Sequence, residues 1–241
     1  MDEELLRLNK YLSDAGVCSR RASDEAIRQG RVTVDGVPAI VGQKITVNQC
    51  VTFDGKPVSN SGKQLVLIAY NKPCGIVCTA EKREKNNIVD HIAYPTRIYP
   101  IGRLDKDSHG LILLTNQGDL VNKIMRGSNH HEKEYRVRVN KDITEDFLKA
   151  MSSGIYLEEL DVTTRPCQVK KLTRNSFSIV LTQGLNRQIR RMCLSLGYRV
   201  QDLERVRIMN IRLEDLQEDT YRDITPTELA GLNKLLEGSR N

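Results

Sequence analysis

Apolar residues fall at Leu5-Leu6, Leu8, Tyr11-Leu12 and Ala15, the three- and four-residue spacing of one helical face, and Gly16 ends the run. Ser19 then stands where an N-cap belongs, ahead of a second helix with Ala22, Ala26 and Ile27 facing inward and Gly30 closing it. Beyond it the period shortens to two. Val32 and Val34 alternate with polar neighbours, Asp35-Gly36 reverses the chain, and Val51-Thr52-Phe53 leads into a second Asp-Gly at 54–55. This pattern predicts two short helices followed by a small set of strands.

Residues 55–64, Gly-Lys-Pro-Val-Ser-Asn-Ser-Gly-Lys-Gln, are rich in turn formers and read as a short linker. Leu65-Val66-Leu67-Ile68-Ala69-Tyr70 opens a larger unit, with strands predicted near 65–70, 110–115, 132–140, 166–170 and 176–182. Helices fit at 119–126, 144–151, 187–196 and 226–237. Strands and helices mix without a repeating βαβ rhythm, so the expected class is α+β. The 241 residues suffice for a small domain and a medium one, placed at 5–62 and 65–237.

Composition narrows the setting. With 39% hydrophobic and 28% charged residues the chain suits a soluble protein. No apolar run approaches the ~20 residues that span a bilayer, so no membrane partner is expected. The acidic start, Met-Asp-Glu-Glu, carries no apolar segment of a secretory signal, and a cytoplasmic location is expected. Cysteines 18, 50, 74, 78, 167 and 193 follow no metal-ligand spacing, and Cys74 and Cys78 are not a Cys-x-x-Cys pair. His130-His131 has no supporting carboxylate or cysteine pattern, so no metal is expected. The net charge of +6 permits nucleic acid without requiring it. Its distribution is more informative: residues 1–60 balance eight Lys/Arg against eight Asp/Glu, whereas 187–212 hold seven arginines against Asp202 and Glu204.

Asp105 lies between Arg103 and Lys106, directly ahead of the strand-like Leu111-Ile112-Leu113-Leu114. Nearby positive charge favours the ionised carboxylate, which suits a nucleophile or a base. The run from Gly102 to Gly118 meets every fixed position of Gly-Arg-Leu-Asp-x-x-(Ser/Thr)-x-Gly-Leu, three hydrophobic residues, Thr-Asn-x-Gly. It resembles the active-site motif of the RsuA-type pseudouridine synthases. Asn71-Lys72-Pro73-Cys74-Gly75 reads as a turn and resembles that family's Lys-Pro-x-Gly motif, implying that Lys72 shapes the floor of the site.

Two further elements join Asp105 through the resemblance. On the alternating strand around Glu134, Tyr135 shares a face with Val137 and Val139, where a tyrosine by itself reads as core. The family's Lys-x-Tyr position implies an active-site ring that stacks on a flipped uracil or assists proton removal from C5. In the helix 187–196, Ile189, Met192, Cys193 and Leu196 form one stripe, Arg187 and Arg191 fall almost opposite, and Arg190 lies at the boundary, with Asn186 as the expected cap. The family's Gln-(Ile/Val)-Arg motif implies that Arg190 pairs with Asp105 and that Ile189 packs near the base. Arg187 and Arg191 read as a basic face toward RNA.

The pattern Arg-Leu-Asn-Lys-Tyr-Leu…Gly…Cys-Ser-Arg-Arg…Ile…Gly-Arg-Val-x-Val-x-Gly resembles an S4 RNA-binding domain. By that resemblance Lys10, Ser19, Arg20, Arg21 and Arg31 meet the RNA backbone, and such phosphate contacts position without specifying. Together the resemblances imply an S4 (αL-type) domain followed by a mainly antiparallel pseudouridine synthase domain. The implied enzyme flips a uridine out of its RNA, with Arg103 filling the vacated stack or holding a flanking phosphate. Asp105 attacks C1′ or C6, or removes a sugar proton, and the base rejoins through C5 without any cofactor.

His131-Glu132-Lys133-Glu134-Tyr135 and Leu203-Glu204-Arg205-Val206-Arg207-Ile208-Met209-Asn210 resemble the RluF branch of this family, which modifies 23S ribosomal RNA. A 16S target is the nearest alternative, a transfer RNA is a further candidate partner, and nothing demands more than a monomer. A non-catalytic S4 protein bound to ribosomal RNA is the alternative from another class, and it has no need of Asp105, Tyr135 and Arg190 together.

Overall fold

The structure is a computed structural model that describes residues 5–59 and 64–239. It divides into two compact units, Met1–Leu65 with Pro95–Arg97, and Val66–Tyr94 with Ile98–Asn241. The grouping of Pro95–Arg97 with the first unit departs from a single cut in the sequence.

In the first unit, helices α1 (Leu8–Asp14) and α2 (Arg20–Arg28) precede strands β1 (Val32–Val34), β2 (Val37–Pro38), β3 (Val51–Phe53) and β4 (Lys56–Val58). The strands lie in the order β2-β1-β3-β4, all antiparallel. Both Asp-Gly turns are two-residue hairpins with positive φ at each position, 51° and 81° at Asp35-Gly36 and 49° and 74° at Asp54-Gly55. The linker expectation therefore needs correcting at its start. The second turn folds Lys56–Val58 back as an edge strand, where Pro57 is tolerated because no further strand needs its missing N–H. Residues 60–63 of that stretch lie outside the described residues.

Ser19 caps α2 by accepting a hydrogen bond from the Ala22 N–H at 3.1 Å. The inward face differs by one residue from the expected one: Ala22 is exposed and Ser23 is buried beside Ala26 and Ile27. Ser23 lies three and four residues before that pair, and its hydroxyl is satisfied by Cys18 Sγ at 3.2 Å. Leu8, Leu12, Val32, Val34, Ile45 and Val51 complete this core.

The second unit contains strands β5 (Leu67–Lys72), β6 (His109–Thr115), β7 (Lys133–Val139), β8 (Gln168–Thr173), β9 (Ser176–Leu181), β10 (Val200–Ile208) and β11 (Tyr221–Asp223). Its helices are α3 (Ile88–Ile92), α4 (Gly118–Met125), α5 (Glu145–Ser153), α6 (Gln188–Ser195) and α7 (Pro226–Leu236). Among the described residues the seven strands form one path, β8-β9-β7-β10-β6-β5-β11, and the short strands Tyr99–Pro100 and Ile211–Arg212 pair with β6 and β10. Every neighbour pair is antiparallel except β10 with β6, where Glu204 faces His109 and Arg205 faces Gly110. The class is α+β with a mainly antiparallel sheet.

Strand β10 was not expected, although it lies at the middle of the sheet. Its sequence, Val-Gln-Asp-Leu-Glu-Arg-Val-Arg-Ile, buries Leu203, Arg205 and Ile208, and an arginine on the inward face hides the two-residue alternation. A register shift between Glu134 and Tyr135 further disturbs its period against β7. Helix α3 and strand β11 were likewise not expected. Apolar clusters build the unit, and two of them meet at β7. One joins Val137, Phe147, Met151, Phe177, Ile189 and Met192; the other joins Ile68, Tyr70, Ile88, Ile98, Ile112 and Leu114. Tyr135 packs against both.

Candidate active site

The loop that carries Asp105 leads directly into β6 and is held at nearly every residue. The Gly75 N–H donates to the Lys106 carbonyl at 2.7 Å, and the Ser108 N–H closes a turn on the Asp105 carbonyl at 3.1 Å. Arg205 Nη1 donates to the Arg103 carbonyl at 3.3 Å, while Arg190 Nη2 donates to the Asp107 carbonyl at 2.7 Å and Ser108 Oγ at 3.1 Å. These bonds fix a short backbone segment from several elements at once, a condition for aiming one side chain. Lys72 is fully buried, and its Nζ donates to the Pro73 and Ile76 carbonyls at 2.7 and 3.0 Å, so it stiffens the turn that ends in Gly75. Burial pushes its ammonium pKa down.

Asp105 lines a cleft of about 430 Å³ together with Arg103, Tyr135, Arg187 and Ile189, while Leu104, Met125, Leu181, Leu185 and Leu203 give it apolar walls. Asp105 is the only acid among the lining residues described, and its side chain is 33% exposed. Arg190 does not line this cleft.

The expected Arg190–Asp105 pair is replaced by a different arrangement. The cation near Asp105 is Arg187, whose Nη1 lies 3.9 Å from the carboxylate. Arg187 also donates to both oxygens of Asp107 at 3.0 and 2.8 Å, holding that carboxyl below the usual carboxylate range. Arg190 reaches Asp107 and Ser108 instead, with Nε 3.5 Å from the Asp107 carboxylate. The physical reason lies in one backbone conformation. Arg187 precedes the helix in the left-handed region, φ 50° and ψ 34°, so the helical wheel that put it on an opposite face does not apply to it. Asn186 does not cap α6 either. Its carbonyl and side-chain oxygens accept from Arg191 at 3.0 and 3.2 Å, and Gln188 accepts from the Leu185 N–H at 3.1 Å. Arg191 also pairs with Glu159, so it is not a bare cation awaiting phosphate.

Two cleft residues escaped the sequence reading. Lys133 is 7% exposed and Arg205 is 1% exposed, and both line the cleft. Lys133 stands two residues before Tyr135, so alternation alone puts both on one face. Arg205 is the cross-strand partner of Tyr135 on one side and of Gly110 on the other. Its Nε donates to the Leu111 carbonyl at 2.6 Å, and its Nη2 is buried without a hydrogen-bond partner.

In the first unit the cations expected at RNA divide. Arg31 binds Asp54 through two nitrogens, with Nε 2.8 Å from Oδ1, and lies 4.9 Å from the Phe53 ring. Lys10 pairs with Asp14 at 3.5 Å, and Ser19 is engaged as the helix cap. Arg20 and Arg21 are exposed, and among the described residues neither forms an ion pair. They stand in the first turn of α2, where the helix dipole also favours an anion.

One carboxylate, a ring and apolar walls, surrounded by cations, suit a planar base whose nucleotide carries phosphate. Among the described residues no helix is long and apolar enough to cross a membrane. The RNA pseudouridylate synthase family profile matches residues 66–195, and the S4 domain profile matches residues 6–51. The chain is 50% identical over 240 residues to the dual-specificity RNA pseudouridine synthase RluF of Escherichia coli, covering 99% of this chain and 82% of that protein. It is 33% identical to ribosomal large subunit pseudouridine synthase B of Bacillus subtilis, covering 98% of each. A crystal structure of a pseudouridylate synthase matches with a TM-score of 0.69 and 29% identity, covering 94% of this chain and 99% of that one. The chain therefore belongs to the RNA pseudouridylate synthase family, RsuA-type and of the RluF branch, with an S4 domain ahead of its catalytic domain.

Proposed function

We propose that this enzyme converts one uridine of large-subunit (23S) ribosomal RNA to pseudouridine, with Asp105 as the nucleophile or base. The observation that carries the proposal is a cation-rich, apolar-walled cleft with one carboxylate among its described lining residues. A uridine in folded RNA hides its glycosidic bond and C5, so the nucleotide has to leave the stack. Arg103, exposed at the cleft, would fill the gap or hold the flanking phosphate. The flipped base would lie between apolar walls against Tyr135, whose hydroxyl makes no hydrogen bond among the described residues.

In this reading Asp105 works as an anion near Arg187, and Arg190 is a positioning residue that acts through the backbone of Asp107. The isomerisation needs no redox step, group donor or hydrolytic water. The first domain (5–62) anchors the RNA through Arg20 and Arg21, and the catalytic domain (65–237) selects the base. Such a substrate implies a cytoplasmic enzyme, and it is read as a monomer. The large-subunit target is supported by the large-subunit name of the Bacillus relative.

The test is carbodiimide and primer-extension mapping of ribosomal RNA from cells lacking the protein and from complemented cells. One 23S stop should vanish in the deletion and return with the wild-type protein. A missing stop in 16S or transfer RNA in place of 23S would reassign the substrate. If no stop changes, the catalytic reading is wrong and a non-catalytic S4 protein takes its place.

A further inference from the structure

Among the described residues, Lys133 and Arg205 are buried cations with no carboxylate in ion-pair distance. Lys133 Nζ is satisfied only by the His131 carbonyl at 3.3 Å. Arg205 is satisfied by the Leu111 and Arg103 carbonyls, and its Nη2 has no partner. Both flank Tyr135, one two residues away on β7 and the other across from it on β10, and both line the cleft. Burial and the neighbouring Arg205 charge together push Lys133 down, to about 8. Two like charges held dry and unpaired are unfavourable for folding. Such an arrangement is expected where an anion forms during the reaction.

The chemistry supplies that anion. When the C1′–N1 bond breaks, its electron pair leaves with the base, and the ring carries negative charge spread over N1, O2 and O4. The sugar is satisfied by a new bond from C1′ to an Asp105 oxygen, or by loss of a C2′ proton that returns later. If Asp105 adds to C6 first, the C5=C6 electron pair moves toward O4. The base is therefore anionic on each path before C5 bonds to C1′ and releases its proton. Asp105 brings no positive charge to that anion, because by then it is an ester at C1′ or C6 or a neutral acid that holds the C2′ proton.

We propose that Lys133 and Arg205 form a preorganised cationic floor that stabilises the detached, negatively charged uracil. This rests on the pseudouridine synthase reading above and adds two residues to its catalytic machinery. The floor explains why a fold would retain two buried cations that have no carboxylate partner among the described residues.

The test compares wild type and Lys133→Met on an RNA carrying the target uridine, in single turnover, by loss of the target nucleoside from nuclease digests. The variant should bind RNA as wild type does and react at least about 100-fold more slowly, the range seen when one such charge-stabilising group is removed. Its Tm should be unchanged or higher, because an unpaired buried charge is gone. A purely structural lysine would instead lower Tm. The deficit should shrink several-fold on 5-fluorouridine RNA, because the fluorine withdraws charge from the base anion. A Lys133→Met rate within threefold of wild type, a lowered Tm, or an equal deficit on both substrates would each overturn the inference. An inactive wild type would overturn the proposed function itself, a result distinguishable from these.

Discussion

The backbone of Arg205 passes Gly110 so closely that a Cβ built on the glycine lies 2.5 Å from the arginine carbonyl oxygen and 2.8 Å from its nitrogen. Gly110 also has φ +100°, a conformation that L side chains rarely adopt. This contact joins β10 to β6 at their parallel pairing, five residues after Asp105. The catalytic loop is thus supported by a glycine that no side chain can replace.

Gly110→Ala should accordingly destabilise the protein by about 2–4 kcal/mol, through backbone strain and a clash that only strand separation relieves. For a domain of this size that is a Tm decrease of roughly 5–15 °C. Gly127→Ala is the control, since nothing lies within 4 Å of its added Cβ and its φ is ordinary. It should remain within about 0.5 kcal/mol of wild type. Thermal melts of the two variants check both expectations.

How much of this was legible before folding depended on whether the signal was linear. Asp105 and Tyr135 could be brought to one cleft because short contiguous motifs of the family resemblance carry them, whereas the alternation alone reads Tyr135 as core. Ser19 could be found because an N-cap is a local hydrogen bond. The Arg187–Arg190 exchange was not legible. It turns on one left-handed residue ahead of α6, and helical periodicity carries no information about the residue outside the helix. Arg205 was given no role of its own, since an arginine is ordinarily exposed, and its burial on the inward face hides the alternation of β10. Lys133 did leave a signal, two residues before Tyr135 on the same face, and the alternation could have flagged it.

Lys133 makes stability and activity depend on pH in opposite senses. Its pKa falls from 10.5 to about 8 in the fold. Between these values the unfolded chain holds a proton that the folded protein has released, so stability rises with pH across about 8 to 10.5 and is flat outside it. The rise attributable to this group is on the order of 3 kcal/mol, and Lys133→Met should lack it. Single-turnover activity should fall over the same window, because the cationic lysine is the active form. The other charged or ionisable groups lining its cleft are Arg103, Asp105, Tyr135, Arg187 and Arg205. Chemical denaturation and rate profiles of wild type against the variant, from pH 7 to about 10.5, separate its titration from theirs.

Arg20→Ala combined with Arg21→Ala should weaken RNA binding on the order of tenfold and flatten the dependence of log K on log salt by about 1–2. Arg31→Ala should do less, because Asp54 already occupies that guanidinium. Filter-binding titrations at several salt concentrations measure both. An unchanged slope in the double variant would remove the anchoring role given to the first domain.

The most direct measurement of the central claim is single-turnover pseudouridine formation by Asp105→Asn on the target RNA, alongside RNA affinity. The account predicts wild-type affinity with formation slower by at least about 1,000-fold, since the only acid lining the cleft among the described residues is gone. Formation within tenfold of wild type would contradict it.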